Sequence, residues 1–110
     1  MPSRVIAIGD VHGCATALRQ MLELIAPNPS DTLVILGDCI DRGPDSRGVI
    51  DQVLALRKQC ELVCILGNHE EMMLGARRGR SEFELWTDCG GVATLDSWQV
   101  TGRIPGAPGP

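Results

Sequence analysis

Three short polar motifs hold the residues best suited to chemistry in this 110-residue chain. They are GDVHG (residues 9–13), GDCIDRG (residues 37–43) and GNHE (residues 67–70), called here the first, second and third motif. Together they contain both histidines of the chain, with aspartates, an asparagine and an arginine. Carboxylate, imidazole and amide oxygen donors suit Mn²⁺, Fe or Zn²⁺ better than a thiolate-preferring ion. The motifs therefore predict a site for divalent metal.

Each motif comes directly after a short apolar run, residues 5–8, 33–36 and 62–66, that is typical of a buried strand. Apolar residues recur at helical spacing between these runs, and further helices are predicted over residues 70–77 and 82–87, with a short one after Gly91. Apolar strands alternating with amphipathic helices predict an α/β fold with a parallel sheet covered on both faces. Right-handed crossovers would place the three strand ends, and so the three motifs, on one edge.

Composition and charge narrow the classes of partner. Ten basic residues against fourteen acidic ones give a net charge of −4, which argues against a nucleic-acid-binding face. The sequence has no run of eighteen apolar residues and no signal-peptide pattern, so we expect a cytoplasmic protein with no membrane partner. The five cysteines are irregularly spaced and are interpreted as reduced thiols, with a zinc site at Cys60 and Cys64 as the alternative. The oligomeric state is not predicted.

The order and spacing of the motifs resemble the calcineurin-like metallophosphoesterases, and most closely the bacterial PPP-type serine/threonine phosphatases. That family shows GDxHG, GDxxDRG and GNHE after successive strands, and the resemblance extends from about residue 5 to residue 98 through Trp86, Gly90-Gly91 and Thr94-Leu95. It implies a three-layer metallophosphoesterase-like sandwich, of which this chain is the N-terminal βαβαβ part with a mostly parallel sheet. Residues 1–100 would belong to that domain, and residues 101–110 would be a disordered tail rich in glycine and proline.

The resemblance also implies a dinuclear metal site. Asp10 and His12 would bind the first ion, Asp38 would bridge both, and Asn68 would bind the second. The cofactors would be two divalent ions, Mn²⁺ first, with Fe or Zn²⁺ as alternatives. Two more histidine ligands of the second ion would lie beyond Pro110, so the chain is expected to be an inactive N-terminal fragment of the enzyme.

The remaining implied roles concern proton transfer and the substrate. His69 would protonate the leaving oxygen and be held by Asp41, while Arg42 would bind the substrate phosphate together with Asn68 and His69. The function implied is hydrolysis of a phosphoserine or phosphothreonine protein by hydroxide that the two metals activate. A small phosphoester is an alternative substrate.

Other interpretations stay open at this stage. A symmetrical diadenosine tetraphosphatase shares part of the pattern, but such enzymes typically carry Asn in place of Asp41 and GNHD in place of GNHE. The chain could instead be a non-catalytic metal-binding or interaction fragment. Arg42 could pair with Asp45 on the surface, and Glu70 could simply complement the helix dipole.

Overall fold

Three short strands form one parallel sheet in the computed structural model, which describes residues 3–99. They are β1 (Val5–Ile8), β2 (Thr32–Ile35) and β3 (Glu61–Cys64), in the order β1-β2-β3. Ile8 pairs with Ile35, and Ile35 pairs with Cys64, so the three strands end at the same level. The prediction of parallel strands with the motifs at one edge is confirmed.

Five α-helices accompany the sheet in residues 3–99: α1 (Ala15–Ile25), α2 (Ser46–Leu56), α3 (Asn68–Gly75), α4 (Arg80–Trp86) and α5 (Val92–Ser97). A 3₁₀ turn joins α3 to α4, and a wide turn over Thr87–Gly91, kinked at Gly90, joins α4 to α5. None of the helices in this part of the chain is long and apolar enough to span a membrane. The tail predicted over residues 101–110 lies outside the described residues.

The hydrophobic core lies on one face of the sheet. Alternate strand residues, such as Leu33 and Ile35, share one apolar cluster with Leu18 of α1 and with Val49 and Val53 of α2. Both crossover helices therefore pack on the same face, as right-handed crossovers dictate when three strands are ordered consecutively. The sequence pattern predicted helices on both faces, whereas in residues 3–99 the opposite face has no layer of helices over it and stays partly exposed.

An ion pair ties the start of the sheet to the end of α1. The Arg4 guanidinium donates to both oxygens of the buried Asp31 carboxylate, at 3.1 and 2.5 Å, and to the carbonyl oxygen of Ile25 at 2.9 Å. Asp31 immediately precedes β2 and also accepts from the backbone N–H of Asn28 at 3.0 Å. The hydrogen bonds from Arg4 lower the pKa of Asp31 to about 2.

Candidate active site

The first and second motifs interlock through their backbones. The N–H of His12 donates to the carbonyl of Asp38 at 2.9 Å, and that of Gly13 donates to Cys39 at 2.8 Å. A Cβ atom at Gly43 would lie only 2.0 Å from the carbonyl oxygen of His12, so the two loops approach too closely for any other residue there. This contact fixes the first motif relative to the second.

The structure brings Asp10, His12 and Asp38 together. One ligand atom from each lies within 4.8 Å of the others, close enough for one cation to be shared. His12 Nδ1 lies 3.0 Å from the carbonyl oxygen of Ile40, and because a carbonyl only accepts, Nδ1 carries the hydrogen and Nε2 is left for a metal. Two carboxylates and an imidazole fit the divalent ions predicted from the sequence.

Five non-glycine residues of this region adopt left-handed backbone conformations. The φ angles are +54° at Asp10, +43° at His12, +53° at Asp38, +74° at Asp41 and +70° at Arg42. Such conformations cost on the order of 1–3 kcal/mol each and persist only where surrounding contacts enforce them. Their concentration in the first two motifs indicates that the loops are held in shape for a site.

Glu70 connects the second and third motifs. Its carboxylate accepts from the backbone N–H groups of Asp38 at 2.7 Å, Cys39 at 2.8 Å and Gly67 at 2.7 Å. In return, the N–H of His69 donates to Asp38 Oδ1 at 3.0 Å. The interpretation of Glu70 as a carboxylate that merely complements the helix dipole missed this role. Its position three residues after Gly67, the N-cap of α3, was the available signal.

A buried Asp41–His69 pair adjoins the metal cluster. His69 Nδ1 lies 2.8 Å from Asp41 Oδ2, and Asp41 has no exposed surface. The same carboxylate accepts from Trp86 Nε1 at 2.8 Å and from the hydroxyl of Thr94 at 2.6 Å. The rings of His69 and His12 are in edge-to-face contact, with centroids 4.7 Å apart. The geometry places the predicted proton donor and its predicted holder beside the candidate metal ligands.

Arg42 and Asn68 are exposed, and their predicted ligand roles stay predictions. The Arg42 guanidinium makes one long hydrogen bond, from Nε to the carbonyl oxygen of Cys89 at 3.5 Å. Asp45, its alternative surface partner, instead caps α2 by accepting from the N–H of Gly48 at 2.8 Å. Asn68 begins α3, directly before His69.

The cysteines do not form a second candidate metal site in residues 3–99. All five are free, and the group of possible ligands found in that range is Asp10, His12 and Asp38. Burial raises the pKa of Cys39 to about 12, and the nearby Glu70 carboxylate adds to the effect. Cys39 is therefore a protonated thiol and unsuited to nucleophilic attack.

Fold and cluster together define an α/β domain with a group of residues that could hold a divalent metal at the carboxyl edge of its sheet. The profile of the calcineurin-like phosphoesterase family matches residues 3–110. The chain belongs to this family, as its three motifs indicated.

Individual relatives divide between two activities. The chain is 43% identical over 88 residues to serine/threonine-protein phosphatase 1 of Salmonella typhimurium strain LT2. These 88 residues cover 79% of the chain and 38% of that phosphatase. It is 44% identical over 77 residues to a symmetrical bis(5'-nucleosyl)-tetraphosphatase of Edwardsiella ictaluri, covering 69% of the chain and 27% of that enzyme. The crystal structure of a proposed diadenosine tetraphosphatase matches with a TM-score of 0.61 and 32% identity, over 93% of the chain and 46% of the other protein. The chain thus spans less than half the length of each.

Proposed function

We propose that the residues of the three motifs form the N-terminal half of the active site of a metal-dependent phosphoester hydrolase. Its substrates would be proteins that carry phosphoserine or phosphothreonine. One observation supports this proposal most directly. The cluster of Asp10, His12 and Asp38 is in contact, through the His12 ring, with the buried Asp41–His69 pair. A metal site beside a positioned imidazole is what hydrolysis of an unactivated phosphoester requires, because both the phosphoryl oxygens and the leaving oxygen need stabilisation.

Each residue has a distinct part in this proposal. Asp10, His12 and Asp38 would hold one divalent ion, Mn²⁺ first, and Asp38 with the exposed Asn68 would contribute to a second. Ions bound there would supply Lewis-acid charge that stabilises the phosphoryl oxygens and makes water a better nucleophile. His69 would donate a proton from Nε2 to the leaving oxygen, since Nδ1 is bound to Asp41.

Arg42 would bind the substrate phosphate. Its guanidinium is exposed at the end of the second motif, and its long contact to Cys89 would exchange readily for a phosphate oxygen. A planar guanidinium donates two parallel hydrogen bonds to such a group. The substrate would therefore lie between Arg42, Asn68 and His69.

A symmetrical diadenosine tetraphosphatase is the second candidate, supported by the relatives and the solved structure with that activity in their names. Asp41 and Glu70 favour the protein phosphatase, because tetraphosphatases of this type typically carry Asn in place of Asp41 and GNHD in place of the GNHE motif that contains Glu70. Here the Glu70 carboxylate holds Asp38 and the Asp41 carboxylate holds His69, so a substitution at either position would change how a proposed site residue is held. A metal-binding fragment without activity is the remaining alternative.

The ligand role is tested by calorimetric titration of the chain with Mn²⁺. We expect Asp38→Ala to abolish binding, since Asp38 belongs to the cluster, while the control Asp51→Ala, on the exposed side of α2, leaves it unchanged. If Mn²⁺ binding survived Asp38→Ala, the ion would not depend on this cluster, and the proposal would lose its metal site.

The catalytic role needs the domain extended to the length of its relatives. There His69→Asn is expected to lower turnover of a phosphoserine peptide by about 10²–10⁴ and to affect p-nitrophenyl phosphate less, because that leaving group needs no proton. Equal losses on both substrates would refute the general-acid assignment. Faster hydrolysis of diadenosine tetraphosphate than of the peptide would favour the second candidate.

A further inference from the structure

We propose that Trp86 and Thr94 are positioning residues, which clamp the Asp41 carboxylate so that His69 is held as its Nδ1–H tautomer. The inference rests on the proposed function for its catalytic meaning: with Nδ1 bound to Asp41, Nε2 is the atom that takes up a proton to give the imidazolium and then passes that proton to the leaving oxygen. It gives a physical reason for a second part of the sequence, residues 80–97, to belong to the site. That part lies well after the three motifs and has no predicted ligand of its own.

The tautomer follows from the partners of Asp41. The carboxylate can only accept hydrogen bonds when ionised, and the indole nitrogen of Trp86 can only donate. Asp41 Oδ2 lies 2.8 Å from Trp86 Nε1 and 2.8 Å from His69 Nδ1, so both nitrogens must carry hydrogen. His69 is therefore left with an unprotonated Nε2 in its neutral form.

The Thr94 hydroxyl has every one of its hydrogen-bonding positions assigned. It donates its one hydrogen to Asp41 Oδ1 at 2.6 Å and accepts from the backbone N–H of Asp41 at 2.9 Å. Its other lone pair faces Ser46 Oγ at 3.0 Å, which must then be the donor. Because Thr94 and Trp86 bind different oxygens of the carboxylate, they fix its rotation as well as its place.

Burial makes this clamp rigid. Asp41 and Ser46 have no exposed surface, Trp86 is 1% exposed and Thr94 is 3% exposed. A Cβ atom at Gly91 would lie 2.5 Å from the indole ring, so the turn between α4 and α5 closes directly over Trp86. A carboxylate in such surroundings keeps its orientation only while its donors remain, since water cannot replace them.

The test reads the ring nitrogens of His69 by ¹H–¹⁵N NMR of the metal-free chain, at a pH where the ring is neutral. The wild-type chain should show hydrogen on Nδ1. Trp86→Phe and Thr94→Val should each lose this fixed state and give signals averaged between the two tautomers. Thr94→Ser, which keeps the hydroxyl, should retain it, and Trp98→Phe is the control because the Trp98 indole is partly exposed and is not among the hydrogen-bond partners of Asp41.

The same spectra also show whether each variant is folded, so loss of the fixed tautomer can be told apart from loss of the fold. A folded Thr94→Val or Trp86→Phe chain with the wild-type ring signals would overturn the inference, as would hydrogen on Nε2 in the wild type. If Thr94→Val unfolds the chain, Trp86→Phe decides. Because no metal or substrate is present, an inactive extended domain would count against the proposed function and leave this result standing.

Discussion

At the scale of single residues, Glu70 shows how one carboxylate can hold the backbone of a candidate metal ligand without belonging to the candidate cluster itself. It joins the backbone of the second motif to that of the third across 32 positions of sequence. Asp38 is held in a left-handed conformation that it would not adopt by preference, and the hydrogen bond from its own N–H to Glu70 is one of the contacts that enforce it. The ligand geometry at Asp38 should therefore depend on Glu70.

We predict that Glu70→Gln weakens Mn²⁺ binding to the chain by roughly 10–100-fold, as is usual for partners that orient metal ligands. Glutamine offers one acceptor oxygen, and its amide group would face a backbone N–H that needs an acceptor. The free energy of unfolding should also fall by about 1.5–3 kcal/mol, the range for a hydrogen bond to a charged group. Calorimetry and urea unfolding measure the two effects.

Glu71→Gln is the matched control for this prediction. Glu71 is the next residue of α3 and is exposed, so its replacement removes the same charge from the same helix turn without touching Asp38. If Glu70→Gln and Glu71→Gln changed Mn²⁺ affinity equally, the effect would be one of helix charge and not of positioning.

At the scale of elements, the Arg4–Asp31 pair joins β1, the end of α1 and the start of β2. The pKa of Asp31 is lowered from 3.8 to about 2. A carboxyl whose pKa is lower in the folded chain stabilises that chain above its ordinary pKa, and this contribution is lost as the pH falls through the folded value. The pair should thus hold these elements together at neutral pH and release them between about pH 4 and pH 2.

Asp31→Asn is expected to lower the free energy of unfolding at pH 7, and the difference from the wild type should shrink as the pH falls from about 4 to 2. Urea unfolding at several pH values measures it. Asp51→Asn, an exposed carboxyl of α2, should leave the profile unchanged. A wild type and an Asp31→Asn variant that differ equally at pH 7 and pH 2 would show that Asp31 acts without its charge.

The elements also show what sequence patterns can and cannot predict. Strand ends, helix order and the convergence of the motifs followed from short apolar runs that stop at Gly-Asp or Gly-Asn. The Arg4–Asp31 pair could not be predicted from such patterns, because two residues 27 positions apart carry no periodic signal. Trp86 and Thr94 entered only through the family resemblance, without a role, since their contacts with Asp41 depend on how the segment from α4 to α5 folds back onto the second motif. The periodic pattern predicted helices on both faces of the sheet, because an apolar strand looks the same in sequence whatever covers it.

At the scale of the whole molecule, one face of the sheet stays uncovered within residues 3–99. Val5 is 78% exposed and Val63 43% exposed, and the register places Val34 between Ala7 and Val63 on the same face. Leu36 and Ile65, just beyond the strand ends, are about half exposed. Contiguous apolar surface of this kind favours association, and β1 and β3 are both edge strands of the described sheet.

We predict that the chain alone binds an apolar fluorescent dye while folded, and that the double variant Val5→Thr, Val63→Thr reduces both this binding and concentration-dependent aggregation. Threonine keeps the branched shape that strands favour, and both sites face solvent, so the free energy of unfolding should change by only about 0.5 kcal/mol per site. Leu54→Thr, at an exposed position of α2, is the control and should leave dye binding nearly unchanged. If dye binding persisted in the double variant but disappeared in Leu54→Thr, the dye-binding surface would lie on the helices. The open sheet face would then not be the surface responsible for aggregation.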